Sequence, residues 1–410
     1  MADIGISNGL LIVLIIRSVF WLLLGNKQNM IQQLSIADIR NISSVSIKPS
    51  PSVNVLYGLN GSGKTSVLEA IHILGVARSF RTSRIKPVIN CDTAACTVFA
   101  RIGVTSGSIP VGVSRNLRDE ALQIRVSGES LKSTSELARL LPLQVINPDA
   151  FRLLEGSPKM RRKFIDWGVF YMEHHDFFPL WKRMKKALKQ RNSLLRHGRI
   201  DCSELTSWNI EFEKAANAID VLRRDYVQRL TPVFNNVLSE LTKLENLTLQ
   251  YYRGWDKEQS LNEVLVSGLV RDAQSGYTYS GPQRADLRIR NGMVSAVDTL
   301  SRGQIKLVVC ALKLAQGFLY KELSGKQCVF LVDDLPSELD IPHRLALCQL
   351  FQKMNCQTFI TCIEKDALEN CWLPETEVKM FHVKHGKITL DDSPGQQSIC
   401  RDESLEIEHE

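Results

Sequence analysis

The stretch from Ser52 to Leu74 constrains this chain more than any other. An apolar strand, SVNVLY (Ser52–Tyr57), runs directly into GLNGSGKT (Gly58–Thr65) and then into the helical SVLEAIHIL. The spacing is G-x-x-x-x-G-K-[ST] in the strand–loop–helix setting that a phosphate-binding loop requires. Its glycines let consecutive backbone N–H groups curl around an anion without Cβ clashes. Gly58, Leu59, Asn60, Gly61, Ser62, Gly63, Lys64 and Thr65 are therefore expected to hold the phosphates of ATP. Lys64 would set a point charge on the β- and γ-phosphates and Thr65 a hydroxyl on Mg²⁺, while the following helix contributes its positive end.

Such a loop needs an acidic metal partner at the end of a neighbouring strand, and CVFLVDD (Cys328–Asp334) supplies one. A short apolar run closing on carboxylates reads as a buried parallel strand. Asp333 is expected to hold Mg²⁺ through water, and Asp334 to face the γ-phosphate as general base or water-positioning group. The same residues, DDLPSELD, also read as an acidic turn capping the next helix. Upstream, LSRGQIKLVVCALKLAQG (Leu300–Gly317) places Ser-Arg-Gly-Gln at the mouth of an apolar helix. One reading is a capping box, with Ser301 and Gln304 satisfying each other's backbone N–H groups. The other is a phosphate receptor, because capping and anion binding use the same free N–H groups. Phosphate loop, S-x-G-Q helix start, acidic strand and SELD follow the order of an ABC-type ATPase. In that class Ser301, Arg302, Gly303 and Gln304 of one chain would complete the nucleotide site of a second copy.

The distribution of charge adds a partner class. The whole chain is +7, yet Ser157–Ile200 alone holds twelve Lys or Arg against Asp166, Glu173 and Asp176, a net of +9. Trp167, Phe170, Tyr171, Phe177, Phe178 and Trp181 interleave with this charge. A charge run is ordinarily a solvated face, and aromatics at helical spacing are ordinarily core. The block also fits a DNA phosphate-backbone footprint. The ten cysteines form no C-x-x-C pair; Cys310, Cys328 and Cys362 sit in apolar runs as small core residues of a reducing compartment. His174, His175, His382 and His385 are read as surface or core residues without a metal. At the N-terminus, Leu10–Leu24 is apolar but is interrupted by Arg17. It falls short of the roughly 20 residues needed to span a bilayer. Met30 is read as the natural start and residues 1–29 as an upstream extension, with a membrane anchor as the alternative.

Seven segments together resemble the RecF family of bacterial DNA repair proteins. They are NGSGKTSVLEAIHILGVARSFRT (Asn60–Thr82), INPDAFRLLEGSPKMRRKFIDWGVFY (Ile146–Tyr171), KQRNSLLR (Lys189–Arg196), GPQRADL (Gly281–Leu287), LSRGQIKLVVCALKLAQG, DDLPSELD (Asp333–Asp340) and MFHVKHG (Met380–Gly386). The likeness runs from Met30 to Ile388. It implies a cytoplasmic, ATP-dependent DNA-binding protein of recombinational gap repair, replication restart and the SOS response, acting at junctions of single- and double-stranded DNA. It implies dimerisation on ATP, slow DNA-stimulated hydrolysis as a conformational switch, and RecR, RecO and a recombinase as partners. It also carries Gln144, in LPLQVINP, to the Q-loop place near the metal, Ser337–Asp340 to the D-loop, and Arg78 to an arginine found in related ATPases. Gln283 departs from the family's histidine in GPHRADL.

The fold implied is α/β: an ABC-type P-loop ATPase head with an antiparallel side sheet (from CTVFARIGV and LQIRVSG) and an inserted helical second lobe, without a long coiled coil. Its expected divisions are residues 1–29 as extension, 30–148 and 276–390 as the two halves of the ATPase lobe, 149–275 as the helical lobe, and 391–410 as a loose acidic tail. Two other functions fit parts of the sequence. An ABC transporter subunit would use the apolar N-terminus but lacks the histidine expected after QTFITCIEKD. A hydrolysis-deficient, ATP-gated scaffold would account for Asp at 334, where Glu is commoner.

Overall fold

The computed structural model describes residues 29–104, 107–119, 121–196 and 201–391. The apolar segment before Asn29 and the acidic tail after Asp391 lie outside the described residues, as does Arg199 of the basic block. Among the described residues no helix is long and apolar enough to cross a membrane.

The sheet that positions the phosphate loop comprises β3 (Val53–Tyr57), β8 (Leu143–Ile146), β12 (Val329–Val332), β13 (Thr358–Cys362), β14 (Val378–Lys384) and β15 (Lys387–Leu390). Their order is β15-β14-β3-β13-β12-β8. All pair in parallel except the β14–β15 hairpin. Parallel strands covered on both faces must be apolar on both. Accordingly β12 and β13 are buried at every position. Alternate residues enter different cores: Leu56, Leu331 and Phe359 face one way, and Val55, Phe330 and Ile360 the other.

On the first face lies the phosphate-loop helix, Lys64–Val76, packed through Val67, Leu68, Ile71 and Leu74. Beyond it is the antiparallel side sheet. Its strands are β1 (Met30–Ile39), β2 (Ile42–Ile47), β4 (Ala95–Val104), β5 (Gly107–Asn116), β6 (Leu122–Val126) and β7 (Glu129–Ser130), in the order β2-β1-β4-β5-β6-β7. Inward Leu34, Ile36, Val98, Ala100, Val111 and Val113 close this core, and the period-2 pattern that announced these strands is what fills it. A register shift between Ile31 and Gln33 puts both Ile31 and Leu34 inside.

On the second face lies the helix Arg302–Ser324, followed by the helical block. The block consists mainly of Pro158–Met172, His174–Arg196 and the 40-residue helix Cys202–Leu241. Asp201 caps the long helix by accepting from the N–H groups of Ser203 and Glu204. Its apolar stripe (Phe212, Ile219, Tyr226, Leu230, Phe234, Val237) is buried at three/four spacing. Truncating Phe212 or Phe234 to Ala is expected to cost about 3–5 kcal/mol. The helix folds back on its neighbours instead of projecting as a coiled-coil arm. A three-stranded antiparallel sheet flanks it, made of β9 (Leu247–Tyr252), β10 (Asp286–Asn291) and β11 (Val294–Ser295) with β10 in the middle.

Candidate nucleotide-binding site

The loop after β3 is strained in the way its glycines permit. Gly58, Gly61 and Gly63 take φ of 142°, 77° and 119°. A Cβ at Gly58 would lie 2.3 Å from the Val383 carbonyl oxygen, so only glycine fits there. Neighbours that the motif does not reveal hold the loop from behind. Asn41, in the β1–β2 turn, donates from Nδ2 to the Gly61 carbonyl (3.1 Å) and accepts from Ser66 Oγ (3.2 Å). Gly386 N–H, in the β14–β15 turn, donates to the Ser62 carbonyl at 2.8 Å, and Gly58 N–H donates to the Ile363 carbonyl at 3.1 Å. Lys64 Nζ donates to the Gly58 and Leu59 carbonyls at 2.7 and 3.0 Å. Burial lowers its pKa, and the nearby Asp334, Cys362 and Asp333 partly offset this. Ser62 Oγ is buried without a hydrogen-bond partner. A buried hydroxyl beside curled glycines and a lysine fits a phosphate oxygen.

The acidic strand reaches this loop. Thr65 Oγ1 donates to Asp333 Oδ1 at 2.9 Å, and Thr361 Oγ1, from β13, donates to the same oxygen at 2.8 Å. Asp333 has its pKa raised, chiefly by burial, against the lowering effect of these two hydroxyls. A desolvated carboxylate beside a threonine hydroxyl is a hard-oxygen donor set, which suits Mg²⁺. Asp334 has φ 54°, left-handed for a non-glycine residue. Its N–H donates to Thr361 Oγ1 at 2.7 Å. This backbone bend turns Asp334 out of the β12 line next to Lys64, whose charge it influences. Neither Asn41 nor Thr361 carries a local sequence signal. Non-local strand pairing brings both to the site.

The other expected residues divide. Ser301–Gln304 form a capping box: Gln304 N–H donates to Ser301 Oγ (3.3 Å), and Ser301 N–H donates to Gln304 Oε1 (2.9 Å). Ser301, Arg302 and Gly303 are exposed. Among the described residues no hydrogen bond or ion pair joins them to Gly58–Thr65 of the same chain. Lys306 ties this helix to the SELD segment through Glu338 at 2.6 Å. Asp340 caps the next helix by accepting from His343 N–H at 3.2 Å. Arg78 is exposed on a cleft shared with Arg81, Arg84 and Arg115. Gln283, in place of the family's histidine, donates to the Thr278 and Ser280 carbonyls.

Two expectations need correction. Gln144 is not at the metal edge. It lies mid-strand in β8, opposite Phe330, and is 1% exposed. Its amide is committed to the helix Arg302–Ser324, donating to Gln316 Oε1 (3.0 Å) and accepting from Lys313 Nζ (3.1 Å). A side chain two residues short of the strand end faces a core layer. The basic block is also less free than its count suggests. Arg191 is fully buried and paired with Asp272 at 2.9 Å. Arg161 pairs with Asp286 at 2.7 Å, Arg183 with Glu211 at 2.8 Å, and Arg162 donates to the Ala285 carbonyl. The exposed cations among the described residues of the block are Lys159, Lys163, Lys182, Arg183, Lys185, Lys186, Lys189 and Arg196. Lys182 and Lys185 cover the Phe178 and Trp181 rings at 4.2 and 3.9 Å. Phe177 is core, and Trp167 and Tyr171 bond backbone carbonyls.

A family model for the RecF/RecN/SMC N-terminal domain matches residues 30–389. The DNA replication and repair protein RecF of Pseudomonas aeruginosa (strain LESB58) is 53% identical over 367 residues, spanning 89% of this chain and 99% of that protein. RecF of Pseudomonas syringae pv. syringae (strain B728a) is 54% identical over 360 residues, spanning 88% and 98%. Among solved structures, the recombination mediator protein RecF-ATP of the RecFOR pathway gives a TM-score of 0.79 at 24% identity, covering 89% of this chain and 98% of that one. The Smc head domain with an extended coiled coil from Pyrococcus furiosus, bound to the C-terminal domain of ScpA, gives 0.54 at 14% identity, covering 88% and 95%. At these identities the structural likeness carries the fold alone.

Proposed function

This chain belongs to the RecF family of DNA replication and repair proteins, and from that premise we propose that it is an ATP-dependent, DNA-binding ATPase of recombinational repair whose two ATP sites are each shared between two copies. The observation that carries the proposal is the Thr65–Asp333 hydrogen bond, which joins the phosphate loop to the acidic strand at one sheet edge. Curled N–H groups of Gly58–Thr65 hold the phosphates, and Lys64 leaves its two carbonyl partners to neutralise the β/γ oxygens. Thr65 and Asp333 would hold Mg²⁺, which when bound supplies charge neutralisation between the phosphates. Asp334, held by its bent backbone, positions and deprotonates the attacking water. The second copy contributes Ser301–Gln304, whose N–H groups and helix end add positive potential at the γ-phosphate.

The same reading makes residues 149–275 a lobe that answers to the nucleotide state, and the exposed lysines of His174–Arg196 a contact for the DNA backbone. Hydrolysis is slow and quickened by DNA, RecR, RecO and a recombinase are the partners, and the protein works in the cytoplasm. Family membership and the repair name of the relatives displace the transporter alternative. The test is hydrolysis and mass in solution with and without gapped DNA. ATP-dependent dimerisation with DNA-stimulated turnover is expected. Dimerisation on ATP without turnover would favour the hydrolysis-deficient scaffold.

A further inference from the structure

The helix Ile341–Met354 packs beside the segment that begins with the 3-10 turn Lys365–Cys371. Contacts between the two recur once per turn of the helix. Arg344 Nη1 donates to the Ala367 carbonyl at 2.9 Å, and Gln352 Nε2 donates to Thr376 Oγ1 at 2.5 Å. Cys348 lies midway between Arg344 and Gln352 on the helix, and Cys371 lies between Ala367 and Thr376 on the facing segment. The packing therefore sets one thiol against the other, and the two share a hydrogen bond with Cys348 as donor. Both are free thiols. Cys348 is 0% exposed and Cys371 is 9% exposed, so Cys371 is the one that a small reagent reaches.

Cys371 differs from the other buried cysteines. Burial raises the thiols of Cys96, Cys310, Cys328, Cys356 and Cys362, which leaves them inert core residues. Cys371 is held down to about 7, chiefly by the hydrogen bond from Cys348, which outweighs burial, with the Arg344 charge adding to it. The same hydrogen bond pushes Cys348 well up. One thiol thus ionises while its neighbour keeps its proton. Arg344 has two nitrogens committed, Nη1 to Ala367 and Nη2 to the Pro336 and Leu339 carbonyls, but its Nε is buried without a partner. A buried guanidinium with an unmet N–H favours an anion beside it.

We propose that Cys348 and Cys371 form a redox-active dithiol, with Cys371 the peroxide-reactive sulfur and Cys348 the resolving thiol. The Cys371 sulfur attacks one oxygen of hydrogen peroxide, the O–O bond breaks, and the departing hydroxide takes up the Cys371 proton and leaves as water. The Cys348 sulfur then attacks the sulfenic acid so formed. The S–S bond forms, the S–O bond breaks, and the hydroxide leaves with the Cys348 proton as a second water. Two thiols lose two electrons, and the peroxide is reduced by them. A small dithiol reverses the step, so the pair suits a reducing compartment as a transient sensor. The bond ties the helix Ile341–Met354 to the turn. That helix starts at Asp340 and carries the Arg344 that holds the Pro336 and Leu339 carbonyls, so the link bears on Ser337–Asp340. Only this last consequence, an effect on ATP turnover, rests on the shared-site reading above.

The test uses the full chain, fully reduced, treated with hydrogen peroxide, quenched by alkylation and mapped by mass spectrometry. A peptide linked through Cys348 and Cys371 is expected, lighter by two hydrogens than its parts and released by dithiothreitol. It should form before the exposed Cys91 and Cys202 are oxidised. Cys348→Ser should stop the reaction at the Cys371 sulfenic acid, captured as its dimedone adduct, and Cys371→Ser should leave Cys348 reduced. If either variant fails to fold, the wild-type map still decides. Cys348 and Cys371 both recovered as alkylated thiols while Cys91 and Cys202 are oxidised would overturn the dithiol. A linked chain that binds ATP but has lost turnover supports both the dithiol and its reach to Ser337–Asp340. A linked chain with unaltered turnover keeps the dithiol and sets it apart from the nucleotide site.

Discussion

Thr65 and Asp333 stand 268 positions apart in the chain, and the threonine hydroxyl donates to Asp333 Oδ1 at 2.9 Å. The carboxylate oxygen that would face a metal through water is thus already aligned with the hydroxyl that would ligate it. This relation turns two separate motifs into one site.

Lys64→Ala should weaken ATP binding by roughly 10- to 150-fold, the worth of a charge-assisted hydrogen bond. Among the described residues no other lysine or arginine donates to the Gly58 and Leu59 carbonyls. Calorimetric titration with ATP measures this, and unchanged affinity would contradict the phosphate-loop assignment.

Asp333→Asn should stabilise the nucleotide-free protein while abolishing Mg²⁺-dependent hydrolysis. Burial raises the Asp333 pKa, so the folded state holds its proton more tightly than the unfolded state does. Its stabilising contribution is complete below the unfolded carboxylate pKa and is lost as pH rises through the raised folded value. Thermal midpoints across that window should fall more steeply with pH in the wild type than in Asp333→Asn. Parallel curves would remove the buried-carboxylate account.

Asp334→Asn should bind ATP, stall turnover and accumulate dimer, because it removes the proposed base and leaves the Asp333–Thr65 pair in place. Single-turnover hydrolysis provides the check. Wild-type turnover would move the water-positioning role to another residue.

Reversing Lys182, Lys185, Lys186 and Lys189 to Glu should weaken binding to all DNA sequences alike. It should also reduce the slope of log K against log salt by about 0.9 for each phosphate that is no longer neutralised. Arg191→Ala behaves differently. Breaking its buried pair with Asp272 should cost about 3–5 kcal/mol of stability, seen as a lower denaturant midpoint. A reversal variant with unaltered salt dependence would put the DNA surface elsewhere, with the arginine-lined cleft around Arg78 and Arg84 next to be tested.

The features legible in sequence are those whose chemistry is local. The Gly58–Thr65 loop, the Cys328–Asp334 strand, the Ser301–Gln304 capping box and the alternating strands of the side sheet all depend on residues within one or two turns of one another. What sequence hid is set by packing across the chain. Asn41 buttresses the loop only because β1 and β2 stack the side sheet over the phosphate-loop helix, and Thr361 reaches Asp333 only because β13 lies between β3 and β12. Gln144 lies two residues before the end of β8, and strand alternation turns it toward Lys313 and Gln316. The arginines of the basic block were countable as charge. Their carboxylate partners, Asp272 and Asp286, lie 81 and 125 positions away.

The central claim is that each ATP site is completed by Ser301–Gln304 of a second copy, and solution mass by light scattering with and without ATP tests it most directly. The account predicts that the wild type dimerises with ATP, while Ser301→Arg binds ATP in its own loop and stays monomeric because its side chain fills the space the γ-phosphate must enter. Mixing Ser301→Arg with Lys64→Met should restore partial hydrolysis, since one of the two shared sites then has both faces intact. If Ser301→Arg dimerises with ATP as readily as the wild type, the helix start is a capping box alone and the shared-site account is wrong.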